Sequence, residues 1–190
     1  AQLNYNYKSK IRELMKIIIG GAGIAGLSLA NFFEKKSIDY LILDKRTKLD
    51  NQATGIQIAP NSHYVLKKLN VLKDIKNNSK SSSKLFLYDN VAKHINSLDV
   101  TNENGEAPLF IERKTLINAL RNKIPTDRIL NNVDVKEISC SSNEIELETN
   151  HKRFVCKYFF NSLGLHESNN FSEINAFAIW SISTYEHEVF

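Results

Sequence analysis

The sequence has 190 residues, enough for one sizeable core or for one domain and part of another. Its 42% hydrophobic and 24% charged side chains are ordinary for a globular protein, and 25 basic against 21 acidic residues leave a net charge of only +4, with the lysines scattered. This excludes the basic stripe of a nucleic-acid-binding protein, and no apolar run approaches the roughly 18 residues that span a bilayer.

Ala1 to Leu14 are polar and carry no clear period, and the only methionine, Met15, follows them. Residues 1–14 are expected to be an upstream extension, disordered or loosely helical, with the functional protein starting at Met15. Lys16 to Gly20 is an apolar, β-branched run too short for a helix and bounded by glycine, the mark of a strand buried on both faces. Gly21, Gly23 and Gly26 follow in G-x-G-x-x-G spacing, and Tyr40 to Leu43 is a second apolar run that ends in Asp44. Strand, glycine turn, helix, strand and acid form the unit that grips a dinucleotide diphosphate.

Each position has a physical task. Gly21 permits the tight turn out of the strand, Gly23 keeps Cβ away from a pyrophosphate, and Gly26 lets the helix approach the sheet. Gly23, Gly26, Leu27 and Ala30 share the helix face turned to the strands. The first-turn N–H groups then point at the phosphates. Asp44 stands 18 positions beyond Gly26, close to the roughly 20 expected of the carboxylate that accepts from a ribose hydroxyl. An acid there disfavours a 2′-phosphate, so FAD or NAD fits better than NADP. A purely structural βαβ turn is the alternative.

Thr47 to Thr54 reads as a loop. Gly55 to Asn61 leads into a helix over Ser62 to Leu72, with Val65, Leu66, Leu69 and Leu72 at helical spacing and Pro60 and Asn61 suited to opening it. Asn77 to Ser83 reads as a solvated loop, and Lys84 to Tyr88 and Ala92 to Leu98 as a hairpin turning at Asp89-Asn90. Leu109 to Glu112 is a short strand entering a helix from Arg113 to Lys123, with Leu116, Ile117 and Leu120 on its core face and Pro125 as its stop. Arg128 to Ser139, Glu144 to Thr149 and Arg153 to Leu163 are three β-rich runs. Phe171 to Phe190 is aromatic-rich and extended. Cys140 and Cys156 have no Cys-x-x-Cys partner and are expected to be buried thiols in a reducing compartment, hence a cytoplasmic protein.

With these segments in order, the chain resembles the N-terminal half of the FAD-dependent aromatic-ring monooxygenases, the para-hydroxybenzoate hydroxylase-like family that includes ubiquinone-biosynthesis hydroxylases. The resemblance covers Met15 to Ser168 and, more weakly, extends to Tyr185. Ile19-Gly-Gly-Ala-Gly-Ile-Ala-Gly-Leu-Ser-Leu-Ala30 is close to the family's opening strand, turn and helix. Asp44-Lys-Arg46 lies where the family has Glu followed by Arg, and Gly55-Ile-Gln-Ile-Ala-Pro-Asn61 looks like its Gly-Ile-x-Leu-x-Pro-Asn. Ile111-Glu-Arg-Lys-Thr-Leu116 matches the stretch whose arginine reaches the flavin cofactor, which makes Arg113 that arginine. The family's Gly-Ala-Asp-Gly fingerprint aligns with Asn161, Ser162, Leu163 and Gly164, so Leu163 replaces the aspartate and weakens any affinity supplied there.

The resemblance implies an α/β, three-layer FAD/NAD(P)-binding Rossmann-like domain with a parallel sheet and a β-meander, plus an incomplete substrate-domain sheet. It places the FAD-binding domain at residues 15–80 and 101–168, and the substrate-domain fragment at 81–100 and 169–190. It implies a FAD-dependent monooxygenase that hydroxylates a small aromatic or polycyclic substrate with NAD(P)H as transient reductant and oxygen, in a truncated form. The other readings are a non-catalytic dinucleotide-binding module and another flavin oxidoreductase of the same fold. In this family FAD carries the chemistry, so no catalytic side chain is assigned. The cofactor-binding residues implied are Gly21, Ala22, Gly23, Ile24, Ala25, Gly26, Asp44, Lys45, Arg46, Arg113 and Gly164. Arg113 either holds cofactor oxygens or is a solvated helix start; Lys45 and Arg46 either reach the adenosine or lie on the surface. Asn61 is a helix cap more simply than a ligand. The five histidines lack metal-ligand spacing and are expected at the surface. Phe154, Tyr158, Phe159 and Phe160 are expected in the strand core, and the incomplete sheet is expected to drive self-association.

Overall fold

The structure, a computed structural model, describes residues 13–47 and 54–164. They form two compact units, one from residues 13–47 and 123–164 and one from residues 54–122.

The first unit opens with β1 (Glu13–Gly20), α1 (Ile24–Lys35) and β2 (Leu41–Asp44). β1 takes in the last two residues of the expected extension; residues 1–12 lie outside those described. Ile17, Ile18 and Ile19 are buried, because β1 is an interior strand whose branched side chains pack on both faces. α1 buries Gly26, Leu27, Ala30 and Phe33 and leaves Phe32 exposed, so the face expected to meet the strands does so. Ser37, at φ 52°, ends the helix.

The second unit runs β3 (Gly55–Ile58), α2 (Asn61–Lys68), α3 (Leu72–Asn77), β4 (Lys80–Ser81), β5 (Lys84–Tyr88), β6 (His94–Asp99), β7 (Leu109–Glu112) and α4 (Arg113–Arg121). The single helix expected over 62–72 is two, because Asn70 takes φ 58°, a left-handed conformation that asparagine tolerates. Leu66 is buried as expected, whereas Val65 is 51% exposed. His63, expected at the surface, is 2% exposed, with Nδ1 3.6 Å from Glu106 Oε1. Within the expected loop 77–83, β4 pairs with β7, which also pairs antiparallel with β3. The β5–β6 hairpin turns over residues 89–93 rather than at Asp89-Asn90 alone, since Asp89 Oδ1 accepts from the Val91 and Lys93 N–H groups at 3.0 and 2.8 Å. Leu85, Phe86, Leu87, Tyr88, Ile95 and Leu98 stay exposed. α4 buries Leu116, Ile117 and Leu120, as its 3–4 spacing requires.

The chain then returns to the first unit through a 3₁₀ turn (Thr126–Arg128), β8 (Ile129–Asn131), β9 (Val135–Cys140), β10 (Ile145–Thr149) and β11 (Arg153–Asn161). The run expected over 128–139 is two strands, because Asn132 at φ 59° turns the chain between them. The sheet order is β8-β2-β1-β11-β10-β9. β8, β2, β1 and β11 pair in parallel, and β11, β10 and β9 form an antiparallel meander. Ile18, Leu43, Val135, Leu147, Phe154 and Cys156 form the core between these halves. The aromatic run of β11 divides: Phe154 is buried, while Tyr158 and Phe160 are 47% and 41% exposed. Arg128 pairs with Asp39 and stacks 5.4 Å over the Tyr40 ring; burial, then the hydrogen bond to Glu34, holds the Tyr40 hydroxyl well above the usual tyrosine range. No helix among the described residues is long and apolar enough to cross a membrane.

The cysteines differ from each other. Cys156 is buried in β11, where desolvation pushes its thiol up to about 11, whereas Cys140, expected to be buried, is exposed. Thiolate is the reactive form. A thiol reagent at neutral pH is therefore expected to modify Cys140 alone in the native protein and both cysteines after denaturation, as read by intact mass. Native labelling of both would contradict this packing.

Candidate functional site

β1 delivers the chain into the turn Gly21-Ala-Gly23, and three contacts fix the turn's shape. Gly21 takes φ +93° and donates its N–H to Leu43 O at 2.7 Å, which ties the loop to the end of β2. A Cβ at Gly21 would overlap the Ser162 carbonyl oxygen, and one at Gly26 would overlap the Gly21 carbonyl oxygen and stand 2.8 Å from Ser162 Oγ. Both glycines are thus demanded by the protein itself. The Ser162 hydroxyl donates to Gly20 O at 2.6 Å, and the Ser162 N–H to the same oxygen at 2.9 Å, so the end of β11 clamps the end of β1.

Gly23 differs. A Cβ built there meets no atom within 4 Å, and its φ of −81° and ψ of −172° are extended backbone open to any residue. Nothing among the described residues requires glycine at this position. Gly23 is the N-cap of α1, no side chain caps the helix there, and its carbonyl accepts from Leu27 N–H at 2.9 Å. Ile24 is half-buried and Ala25 exposed. Open space over a bare backbone, at the positive end of a helix dipole, suits an anion of the size of a diphosphate. The donor set thus fits the dinucleotide expected from the spacing.

Asp44 ends β2 and is 3% exposed. Its Oδ2 accepts from Ala22 N–H at 2.5 Å and from Arg46 Nη2 at 2.8 Å, and its Oδ1 accepts from Arg46 N–H at 2.8 Å and Arg46 Nε at 2.9 Å. Burial opposes ionisation, but the Arg46 fork and the two backbone N–H groups together hold the carboxyl below the usual carboxylate range. Such a group contributes stability above its unfolded pKa of about 3.9 and loses it as pH falls through the lower folded value. The stability advantage of the native protein over Asp44→Asn is therefore expected to shrink as pH drops from about 6 to about 3, as measured by thermal unfolding. An advantage constant with pH would contradict the ion pair.

The first unit thus brings together Gly21, Ala22, Gly23, Ile24, Ala25, Gly26, Asp44 and Arg46. Lys45 is exposed beside them, and Gly164, at φ +97° with open space around its Cβ position, follows the Ser162 clamp. Leu163, at the position where the resemblance led one to expect an aspartate, packs against the core cluster, and a Cβ at Gly20 would stand 3.1 Å from its Cδ2. Arg113 belongs to the other unit, where it opens α4 and donates its N–H to Thr54 O at 2.8 Å. In the sequence Ser162 stands only as one position of the aligned fingerprint, and no spacing or periodicity assigns it the clamp between β11 and β1.

No family model matches the chain. It is 30% identical over 122 residues to the FAD-dependent monooxygenase esdpE of Penicillium shearii, a match covering 62% of this chain and 25% of that protein. It is 33% identical over 91 residues to 3-hydroxybenzoate 6-hydroxylase 1 of Aquipseudomonas alcaligenes, covering 47% and 23% respectively. Its fold is similar to that of p-nitrophenol 4-monooxygenase PnpA from Pseudomonas putida DLL-E4, with a TM-score of 0.70 at 16% identity, over 77% of this chain and 40% of that one. The chain spans about a quarter of the length of the curated relatives it matches.

Proposed function

We propose that this chain, a homologue of the FAD-dependent monooxygenases over about a quarter of their length, supplies the part of such an enzyme that grips the adenosine diphosphate end of FAD. Gly23 carries the reading: a backbone left bare at a helix start, with no atom of the described residues near enough to require it, is explained by a ligand. The N–H groups of Ile24 and Ala25 face the diphosphate, Asp44 accepts from the ribose, and Lys45 and Arg46 flank the adenosine. Gly164 leaves room along the cofactor, and Arg113 is the further cofactor residue that the resemblance implies. When bound, FAD supplies the redox chemistry, with NAD(P)H as transient reductant and oxygen as co-substrate; the chain's residues bind and orient it. The substrate class is a small aromatic or polycyclic molecule, supported by the relative that hydroxylates 3-hydroxybenzoate. We place the protein in the cytoplasm, in keeping with its free thiols, and read the exposed apolar hairpin β5–β6 as a self-association surface.

The alternative for this polypeptide by itself, a binding module without catalysis, is favoured by Leu163. Its side chain packs inward and can neither accept a hydrogen bond nor offset charge where the family has a carboxylate. A titration of FAD with the purified chain, followed by flavin fluorescence, tests the proposal. Saturable binding reversed by ADP is expected; binding indifferent to ADP, or none, would overturn it.

A further inference from the structure

We infer that Arg46 is a placeholder in the ribose subsite: its guanidinium fills the Asp44 acceptors that a nucleotide's ribose hydroxyls need, and must withdraw before adenosine can be seated. This rests on the reading of the loop as an adenosine diphosphate site and goes beyond it, since there Arg46 merely flanked the ligand.

A carboxylate has about four lone-pair sites. Asp44 receives four donors, two on each oxygen: Arg46 N–H and Nε on Oδ1, Ala22 N–H and Arg46 Nη2 on Oδ2. No acceptor is left for a hydroxyl. The two backbone donors are fixed by the turn after β1 and the chain after β2, the latter pinned where Asn132 N–H donates to Arg46 O at 3.2 Å and Val133 N–H to Asp44 O at 3.0 Å. Only the guanidinium can yield. The Arg46 side chain is 27% exposed against 4% for Asp44, so it has a route to solvent that the carboxylate lacks. A forked, charge-assisted pair is among the stronger polar contacts. The free protein is therefore held in a state that opposes ribose binding, and affinity for adenosine nucleotides is set by how readily the fork opens.

The test is calorimetric titration of the wild-type chain and Arg46→Lys with ADP and with 2′,3′-dideoxy-ADP. Lysine keeps the positive charge but makes a single point contact, freeing acceptor capacity on Asp44. ADP should bind Arg46→Lys about tenfold more tightly than wild type, and the gain should vanish with the dideoxy analogue, which has no hydroxyl to offer. An arginine that held the ligand would give the opposite sign. Independently of the variant, the Arg46 Nε–H resonance of the wild type should shift on saturation with ADP and stay in place with the analogue. Binding of ADP by the wild type with no gain in the variant, or an equal gain for both nucleotides, would overturn the inference alone. ADP bound by neither protein would overturn both the inference and the site on which it rests.

Discussion

Gly23→Val is expected to abolish binding of FAD and ADP while leaving the fold intact. The isopropyl group would stand in open space at the start of α1, where the extended backbone accommodates a β-branched residue and, among the described residues, no atom beyond the chain neighbours lies within 4 Å of its Cβ. The cost to stability is that of a poorer N-cap residue, about 1 kcal/mol or less. A diphosphate, by contrast, would be held off the Ile24 and Ala25 N–H groups. Losing two hydrogen bonds to a charged ligand, at about 1.5 to 3 kcal/mol each, corresponds to a decrease in affinity of at least about a hundredfold. Chemical denaturation and nucleotide titration of the same sample check both halves; unchanged affinity would remove Gly23 from the site.

Gly26→Ala should do the reverse. Its methyl group would overlap the Gly21 carbonyl oxygen and crowd Ser162 Oγ at 2.8 Å, so either α1 or the clamp between β1 and β11 must shift. Overpacking against fixed backbone costs about 3 kcal/mol, a large share of a small domain's stability of about 5 to 15 kcal/mol. The denaturation midpoint should fall sharply, and any loss of nucleotide affinity should follow from it. A midpoint within error of wild type would show that helix and strand do not approach as closely as Gly26 implies. Two glycines of one motif thus fail for different reasons, one through the ligand and one through the fold.

That distinction marks the limit of what the sequence makes legible. The strand, turn, helix, strand and acid are readable because each has a local physical requirement: β-branched runs for buried strands, glycine where Cβ is barred, an acid one strand later. The helix α4 is readable from Leu116, Ile117 and Leu120 for the same reason. Breaks that depend on one backbone dihedral are not, so Asn70 divides an expected helix and Asn132 an expected strand without altering either hydrophobic pattern. Burial set by distant partners is equally hidden, as in the exposed Tyr158 and Phe160 of β11 and the buried His63 of α2. Asp44 is recognisable as an acceptor from its spacing, but the four donors already on it are a product of how β1, β2 and the side chain of Arg46 converge.

The most direct test of the nucleotide site is a map of amide resonances during titration of the native chain with ADP. Shifts concentrated in Ala22 to Gly26 and Asp44 to Arg46, with the Ala25 N–H among the largest, are predicted for a diphosphate seated at the start of α1 and a ribose at the end of β2. Saturable shifts confined to other elements, or no shifts at concentrations that saturate adenosine nucleotide sites, would contradict the assignment of this loop.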